Sequence, residues 1–227
     1  MQLSSMSALE VAKAIRLSIS SARISTYENA ARAVGRGLDE AITLYAWNAL
    51  VSAAFLTPLH LCEVIVRNGV ADAIASVYGP EWPWSPGFEQ SLPNVTGPVF
   101  KPKQELARAR QKCGTTGAVI AELKFVFWEK MFTKRFEGRI WTPYLYRFFP
   151  NLEKCFTVSA HRAKIAADLE QIRLLRNRIA HHEPIFSRNL RSDFAVIQRL
   201  TETRCAVSAD WMNGQQQVMS TVATKPF

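Results

Sequence analysis

The sequence predicts an all-α fold, because helical periodicity recurs along the chain while the alternating pattern of a half-buried strand is essentially absent. Of the 227 residues, 48% are hydrophobic, which is enough to bury a core within one domain. Six of the eleven prolines lie between Gly79 and Pro102, where no helical period survives. We therefore expect one helical domain over residues 1–213, interrupted by an irregular loop over residues 79–103 and followed by a disordered tail, 214–227.

The helices of the first third are predicted from apolar spacing and from proline and glycine. A short helix is expected from Val11 to Ser25 and another from Asp39 to Phe55. Pro58 suits the first turn of a third helix, because proline lacks the N–H that this turn leaves unpaired. We expect that helix to reach Tyr78, with Gly79-Pro80 ending it.

The later helices follow the same reasoning. Helical spacing returns near Gln104, and four further helices are expected over Thr116–Phe136, Trp141–Phe149, Ser159–His182 and Leu190–Arg204. Pro184 is expected to stop the helix that ends near His182. Nine aromatic residues at helical spacing predict core packing rather than base stacking: Phe125, Phe127, Trp128, Phe132, Phe136, Trp141, Tyr144, Phe148 and Phe149.

The net charge of +9 is concentrated in the second half of the chain. Residues 1–100 carry a net charge of −2, residues 101–150 carry +7, and residues 151–204 carry +4. A basic part joined to an acidic part indicates a polyanionic partner, and RNA or DNA is the polyanion most often bound in this way. The alternative is a solvated basic face that has no partner.

Cysteine spacing and the first twenty residues bear on the location of the protein. Cys62, Cys113, Cys155 and Cys205 lie far apart without a CxxC pair, so neither a zinc site nor a disulfide framework is expected. Charged residues interrupt Met1–Ser20, which argues against a signal peptide. No uninterrupted apolar run approaches membrane-spanning length. We expect a cytoplasmic protein with no membrane partner, no cofactor and no metal.

The longest predicted helix, Ser159–His182, is apolar on two faces. Ile165, Leu169, Ile172, Leu175 and Ile179 form its core stripe, and Arg176 falls inside that stripe. A second face carries Ala163, Ala167, Leu174, Asn177 and His181, whose small residues would let another helix approach. Such a helix is either central in a bundle or part of a dimer interface.

The helix expected from Pro58 to Tyr78 places a carboxylate at the edge of its core stripe. Glu63 lies beside that stripe, and Arg67 follows one turn later. A charge on a core face is costly unless it is paired. Glu63 can pair with Arg67 or with Arg176, and a structural ion pair is the interpretation we favour over a catalytic role.

The segment from Leu174 to Pro184 concentrates polar chemistry at the end of a helix. Arg176, Asn177, Arg178, His181 and His182 lie within seven residues of one another. Arginine can bind a phosphate through two parallel hydrogen bonds, and histidine can move a proton near neutral pH. The competing interpretation is that the two histidines only cap the helix, where the negative end of its dipole stabilises a cation.

These residues resemble a known family. Arg176-Asn177-x3-His181 matches the Arg-polar-x3-His signature of the HEPN superfamily, and the surrounding Leu175–Ile185 segment resembles its Abi-like (abortive infection) branch. Further blocks agree in order over about Ser20 to Met212: Ile42–Asn48, Leu59–Asn68, Tyr78–Trp82, Ala121–Trp128 and Leu190–Trp211. One departure is Lys124, where relatives tend to have a small polar residue.

The resemblance implies a HEPN-like helical bundle and an RNA-cleaving toxin of bacterial phage defence. It places Arg176 and His181 as the catalytic pair, with Asn177 beside them, and we add Arg178 and His182 as substrate-binding residues. Glu63, Arg67 and Asn68 fall in an earlier block of the family and are expected to give structural support. HEPN ribonucleases generally act as homodimers in which two copies of the motif face one cleft.

Two other functions stay open on the sequence. A non-catalytic module would hold RNA or a protein on the same basic face and use Arg176–His181 only structurally. A toxin–antitoxin pair would add an antitoxin protein as a partner. In a nuclease of this type, His181 would serve in proton transfer and Arg176 would contact the phosphate, without any metal.

Overall fold

A computed structural model describes residues 7–227, except for the side chain of Ala8. Part of the expectation for Met1–Ser20 therefore lies outside the described residues. Twelve α-helices and a few short 3₁₀ and π segments form the described chain, and no strand occurs within it. The predicted all-α class is confirmed.

The helices are numbered in chain order. They are α1 (Ala8–Ile19), α2 (Ser21–Ala33), α3 (Leu38–Tyr78), α4 (Pro86–Ser91), α5 (Pro102–Lys112), α6 (Thr116–Glu122), α7 (Phe125–Lys130), α8 (Thr142–Phe148), α9 (Val158–Ala180), α10 (Leu190–Arg204), α11 (Ala206–Gln215) and α12 (Val218–Ala223).

The chain forms two compact units where the sequence led us to expect one domain. Unit 1 comprises Met1–Thr57 (described from residue 7), Leu175–Phe194 and Gln216–Phe227. Unit 2 comprises Pro58–Leu174 and Ala195–Gln215. Each unit has its own buried apolar residues.

The N-terminal helix of unit 1 is two helices rather than the single helix expected over Val11–Ser25. Ser7 and Glu10 form a capping box at the start of α1, which satisfies backbone N–H groups there. Ser20 has a φ of 85° and separates α1 from α2. Because that conformation is left-handed, it breaks the helix although the apolar spacing continues through it.

Helix α3 runs unbroken for 41 residues through Pro58, where the sequence led us to expect a helix start. A proline inside a helix removes one i→i−4 hydrogen bond and usually kinks or ends it. Here the helix continues past Pro58, whose ring is buried. The boundary between the two units falls just before this residue.

The same helix is long and apolar enough to be a candidate membrane span by length and composition alone. Within Leu38–Tyr78 an 18-residue window has a mean hydropathy of 1.8, and 33% of that window is buried. Exposed Leu50 and Leu56 contribute to this apolar character. A core helix of a soluble protein passes the same test, so length and composition alone do not assign α3 to a membrane.

Unit 2 is built around the aromatic residues whose spacing predicts a core. Seven of the nine are buried, while Tyr144 and Phe148 are half-buried. Phe132 stacks on Trp141 with ring centroids 4.2 Å apart, and Phe149 meets both rings edge-on. The predicted core packing of these residues is confirmed.

The expected helix over Thr116–Phe136 is interrupted. Helix α6 ends at Glu122, α7 begins after Lys124, and a 3₁₀ turn covers Lys134–Phe136. A π-helical segment, Glu137–Trp141, then leads directly into α8. Lys124 itself has an extended backbone, which produces the break.

The proline-rich segment after α3 is more ordered than an irregular loop. It contains a 3₁₀ turn, Trp82–Trp84, and the helix α4. Trp82, Phe88 and Leu92 are all buried, and the Trp82 and Phe88 rings meet edge-on at 4.9 Å. These buried residues hold the segment within unit 2, so the expectation of an irregular loop over residues 79–103 is wrong in this part of the segment.

The C-terminal tail is also structured, against expectation. Within the expected tail, 214–227, residues 214 and 215 end α11 and residues 218–223 form α12. The indole Nε1 of Trp47 donates to the Thr221 carbonyl at 2.9 Å, and Val218 is fully buried. Because Trp47 is far away in sequence, the local composition of the tail gave no sign of this packing.

Helix α9 has the predicted core stripe, and its second face is exposed. Ile165, Leu169, Ile172, Leu175 and Ile179 are buried. On the other face Ala163, Ala167, Leu174 and His181 are exposed and Asn177 is half-buried. The sequence left two alternatives for this face, which were burial at the centre of a bundle and a place in a dimer interface. Because the face is largely exposed, one copy of the chain does not bury it at the centre of a bundle.

Arg176 was expected to lie inside the core stripe of this helix, but it is exposed. Near this end of α9 the buried residues are Ile172, Leu175 and Ile179. The centre of those three positions lies about 70° from Arg176 around the helix axis. The stripe drifts away from Arg176, so its guanidinium stays in water.

Candidate functional site

The motif segment ends helix α9 with a left-handed residue. His182 has a φ of 55°, its N–H donates to the Ile179 carbonyl at 3.0 Å, and the N–H of Glu183 donates to the Arg178 carbonyl at 2.8 Å. This pair of bonds is a Schellman motif, which glycine or asparagine usually closes. The helix therefore stops at Ala180, four residues before the Pro184 that was expected to stop it.

Side chains of unit 1 fix the turn that follows. Arg23 donates from Nη1 to the His182 carbonyl at 2.7 Å. Arg178 donates from Nε to the Pro184 carbonyl at 3.1 Å and lies 3.7 Å from the Glu183 carboxylate. The structure thus gives Arg178, which the sequence suggested as a substrate ligand, a part in holding this turn.

Asn48 joins helix α3 to the chain beyond the turn. Its Oδ1 accepts the backbone N–H groups of Ile185 at 2.8 Å and of Phe186 at 3.1 Å. Asn48 is 6% exposed, so these bonds replace water that the two donors have lost. Asn48 belongs to the Ile42–Asn48 block that resembles the family. Its partners lie 137 and 138 residues away, so the sequence did not predict these hydrogen bonds.

Arg176, Asn177 and His181 keep their polar groups free. Arg176 and His181 are exposed and Asn177 is half-buried, and the side chains of these three make no hydrogen bond or ion pair within residues 7–227. Positions five apart on an α-helix lie about 140° apart around its axis. One copy of the chain therefore does not aim Arg176 and His181 in the same direction.

A pocket of about 380 Å³ opens beside the motif in unit 1. His182, and not His181, is among its lining residues. Its other lining residues, from α2, α3 and the end of α9, are Tyr27, Tyr45, Asn48, Ala49, Ser52, Ala53, Leu56, Ile179 and Ala180. The two phenol rings and the Asn48 amide were not identified from the sequence as site residues.

The polar groups of this pocket are held in fixed positions. The Ser52 hydroxyl donates to the Asn48 carbonyl at 2.7 Å. Tyr27 meets the Tyr45 ring edge-on at 5.1 Å and lies 5.1 Å from the Phe186 ring. Since the Asn48 oxygen is occupied, its amide N–H groups are the part available to a ligand. The pocket has a size and a mixed polar and apolar lining that are typical of small-molecule sites.

Tyr27 has an ionisation that reports on this pocket. Burial, followed by the neighbouring Tyr45, raises the pKa of Tyr27 from 10.0 to about 12, although Arg23 and Arg178 oppose the shift. The phenol therefore remains a neutral hydrogen-bonding group at physiological pH.

We expect Tyr27→Phe to remove part of the alkaline instability of the protein. The unfolded chain loses this phenolic proton near pH 10 and the folded chain only near pH 12, so rising pH favours unfolding over that window. A shift of this size corresponds to about 2–3 kcal/mol. Urea titrations at pH 8, 10 and 12 should show a smaller loss of unfolding free energy in Tyr27→Phe than in wild type. Equal losses would contradict the buried phenol.

Asn48→Ala is expected to destabilise the protein by about 2–4 kcal/mol, because it leaves one buried and one part-buried N–H donor without an acceptor. Asn48→Asp keeps an acceptor oxygen and should lose less. Ser52→Ala is the matched control, since it removes a hydroxyl one turn away that only bonds the helix backbone. Thermal melts of the three variants would decide, and an Asn48→Ala variant that melts with wild type would refute this role.

The earlier family block lies in unit 2 and does not contain the expected ion pair. Glu63 and Arg67 are both half-buried, and neither forms an ion pair within the described chain. The Nε of Arg67 is buried without a hydrogen-bond partner, and Asn68 is exposed. Arg176 is exposed as well, so it needs no buried carboxylate. Because Glu63 retains contact with water, its charge can remain unpaired.

Metal-ligating and cysteine side chains are dispersed. No group of three or more His, Cys, Asp or Glu side chains placed to hold a metal ion occurs among residues 7–227. The four cysteines are free, and burial raises the pKa of the Cys62 thiol to about 12.

Comparisons with family models, with curated proteins and with solved structures gave no match to this chain.

Proposed function

We propose that this protein is a metal-independent endoribonuclease, a HEPN-type toxin of bacterial abortive-infection defence. The observation that carries the proposal is the contrast between two sets of cations at the end of α9. Arg23 and Arg178 are bonded to the turn, whereas Arg176 and His181 are exposed and unbonded within the described chain. The resemblance of Leu175–Ile185 to the Abi-like branch supports the same assignment.

RNA supplies the nucleophile for the proposed reaction. The 2′-oxygen attacks the adjacent phosphorus as His181 accepts the proton of the 2′-OH, and a new O2′–P bond forms. The P–O5′ bond breaks, and the leaving O5′ takes a proton from a second acid. Arg176 stabilises the additional negative charge on the phosphate through its planar guanidinium. The products are a 2′,3′-cyclic phosphate and a free 5′-hydroxyl.

A homodimer supplies the second acid in this proposal. A two-fold axis through the exposed face of α9 would bring His181 of both copies to one cleft, so that the imidazole of the second copy is the acid. Asn177 lies one turn before His181 on the exposed face of α9 and would orient its imidazole in the complex with RNA. His182 and the pocket beside it would hold a base of the RNA.

The test is cleavage of single-stranded RNA by purified protein in EDTA. The expected result is a set of fragments that end in 2′,3′-cyclic phosphates, and no cleavage of a matched oligonucleotide carrying 2′-deoxyribose at the cut position. Cleavage of the deoxy substrate would refute attack by the 2′-oxygen. A complete lack of cleavage on total RNA would refute the nuclease assignment.

A non-catalytic RNA-binding module is the second candidate function. It is favoured by the same divergence of Arg176 and His181, because a monomer would then present a cation and an imidazole that do not act on one phosphate. In this case the protein binds RNA without cutting it, and an antitoxin protein could cover the free motif. Under either function we place the protein in the cytoplasm, where its RNA targets are.

A further inference from the structure

An open groove of about 1030 Å³ lies in unit 2. It is formed by the end of α3, by α4 and by the segment that precedes α8. Its polar lining residues are Tyr78, Gln90, Ser91, Arg135 and Arg139, and no carboxylate lines it among the described residues.

Two arginines of the groove are held by neutral oxygens. Arg135 donates from Nε to the Ser91 carbonyl at 2.6 Å, and Arg139 donates from Nη1 to the Tyr78 hydroxyl at 3.1 Å. Both side chains are exposed, and neither forms an ion pair within residues 7–227. A guanidinium has five N–H donors, so each arginine is oriented by one bond while its other donors remain available.

Five other arginines of unit 2 are neutralised by carboxylates. The pairs are Arg110–Glu89 at 2.9 Å, Arg162–Glu137 at 2.6 Å, Arg199–Asp168 at 2.9 Å, Arg204–Asp72 at 2.8 Å, and Arg173–Glu129 in close contact. The two carboxylates nearest in sequence to the groove, Glu89 and Glu137, are thus already bonded to arginines outside it. The positive charge of Arg135 and Arg139 is left uncompensated.

The backbone that carries these arginines is firmly anchored. Arg135 lies in the 3₁₀ turn and Arg139 in the π segment, a rare geometry that often marks functional sites. Phe136, Ile140 and Trp141 are buried beneath them. A Cβ added at Gly138 would meet no atom within 4 Å, so the floor between the arginines is open.

We propose that this groove binds the phosphodiester backbone of single-stranded RNA, as a contact separate from Arg176 and His181. The inference rests on the proposed function, which supplies RNA as the substrate. Two oriented, unpaired guanidiniums match phosphate oxygens, and the half-buried Tyr78 ring lies beside them as a stacking surface. Both arginines also lie in the most basic part of the sequence, since residues 101–150 carry a net charge of +7.

The test is binding of a fluorescent single-stranded oligonucleotide that is 2′-O-methylated throughout and therefore cannot be cleaved. Anisotropy would be measured over a range of salt concentrations. Arg135→Gln/Arg139→Gln is expected to weaken binding about 10-fold or more. It should also reduce the slope of log K against log salt by about 1.4, since each phosphate contact on a single strand contributes about 0.7. An unchanged slope and affinity would overturn the proposal.

Matched variants separate the groove from charge in general. Arg108→Gln/Lys154→Gln removes two exposed positive charges from unit 2 outside the groove and is expected to change binding less than threefold. If both double variants lose the same amount of affinity, the proposal that the groove is a specific binding site would be overturned. Gly138→Glu places a carboxylate between the arginines where space is open, so it should weaken binding while both arginines remain. It also serves as the test if Arg135→Gln/Arg139→Gln fails to fold.

Failure of this inference differs from failure of the proposed function. Protein that binds the methylated strand through Arg135 and Arg139 but cuts no RNA keeps the groove and refutes the nuclease. If wild-type protein cuts RNA but Arg135→Gln/Arg139→Gln binds the methylated strand as tightly as wild type, the nuclease is kept and the groove is refuted. An oligoglutamate could also bind through Arg135 and Arg139. If it binds more tightly than the methylated strand, the groove would be assigned to an acidic peptide and RNA would be overturned as its ligand.

Discussion

His181→Ala is expected to lower the rate of RNA cleavage in EDTA by about 10²–10⁴-fold, the usual contribution of a general acid or base. The imidazole is exposed and unbonded within the described chain, so its removal disturbs no contact of the fold. Unfolding temperature should therefore match that of wild type. The measurement is the initial rate of cleavage of a labelled single-stranded RNA, together with a thermal melt.

His60→Ala is the matched control, because His60 is also exposed but belongs to unit 2, whereas the motif belongs to unit 1. It should cleave at the wild-type rate. Arg176→Ala should be as inactive as His181→Ala, and Arg176→Lys should recover only part of the activity, since lysine lacks the planar fork. If His181→Ala and Arg176→Ala both cleave like wild type, the site assignment is wrong.

Local signals in the sequence were enough for the helices with clear ends. Helix α10 was predicted as Leu190–Arg204 and is observed with those bounds. Asn189 precedes it and accepts the N–H of Ser192 at 3.0 Å, which is ordinary capping chemistry. The core stripe of α9 and the aromatic core of unit 2 follow from the same short-range periodicity.

The features that escaped prediction depend on partners far away in sequence. Pro58 indicated a helix start, but α3 continues through it. The tail looked unpatterned because its order depends on Trp47, 174 residues before Thr221. The left-handed conformation of Ser20 and His182 carries no compositional signal, since neither residue is glycine.

The candidate site was predicted in part for the same reason. The motif residues at the end of α9 were recognisable because they lie within one segment. The pocket beside them is assembled from α2, α3 and α9, and Tyr27 and Tyr45 join it only after folding. Ion pairing was the least predictable feature, because Glu63 and Arg67 have suitable spacing and yet remain apart.

The exposed face of α9 is the surface that a homodimer would cover. Ala163, Ala167, Leu174, Asn177 and His181 lie within about 80° of one another around the helix axis. Leu174 is 47% exposed, whereas the five core-stripe residues of the same helix are buried. Small residues there allow close approach of a second helix, and an isologous interface would bring both copies of His181 to one cleft.

Leu174→Arg is expected to convert a dimer into a monomer of 25.6 kDa and to abolish cleavage along with it. A two-fold interface places each new arginine near its symmetry mate, so like charges would meet where apolar side chains packed. Light scattering at micromolar concentration would measure the mass, and the labelled RNA assay would measure the activity. Val207→Arg is the matched control, because Val207 is 77% exposed on α11 and should leave both quantities unchanged. A wild-type protein that is monomeric at this concentration, with activity unaffected by Leu174→Arg, would refute the composite site.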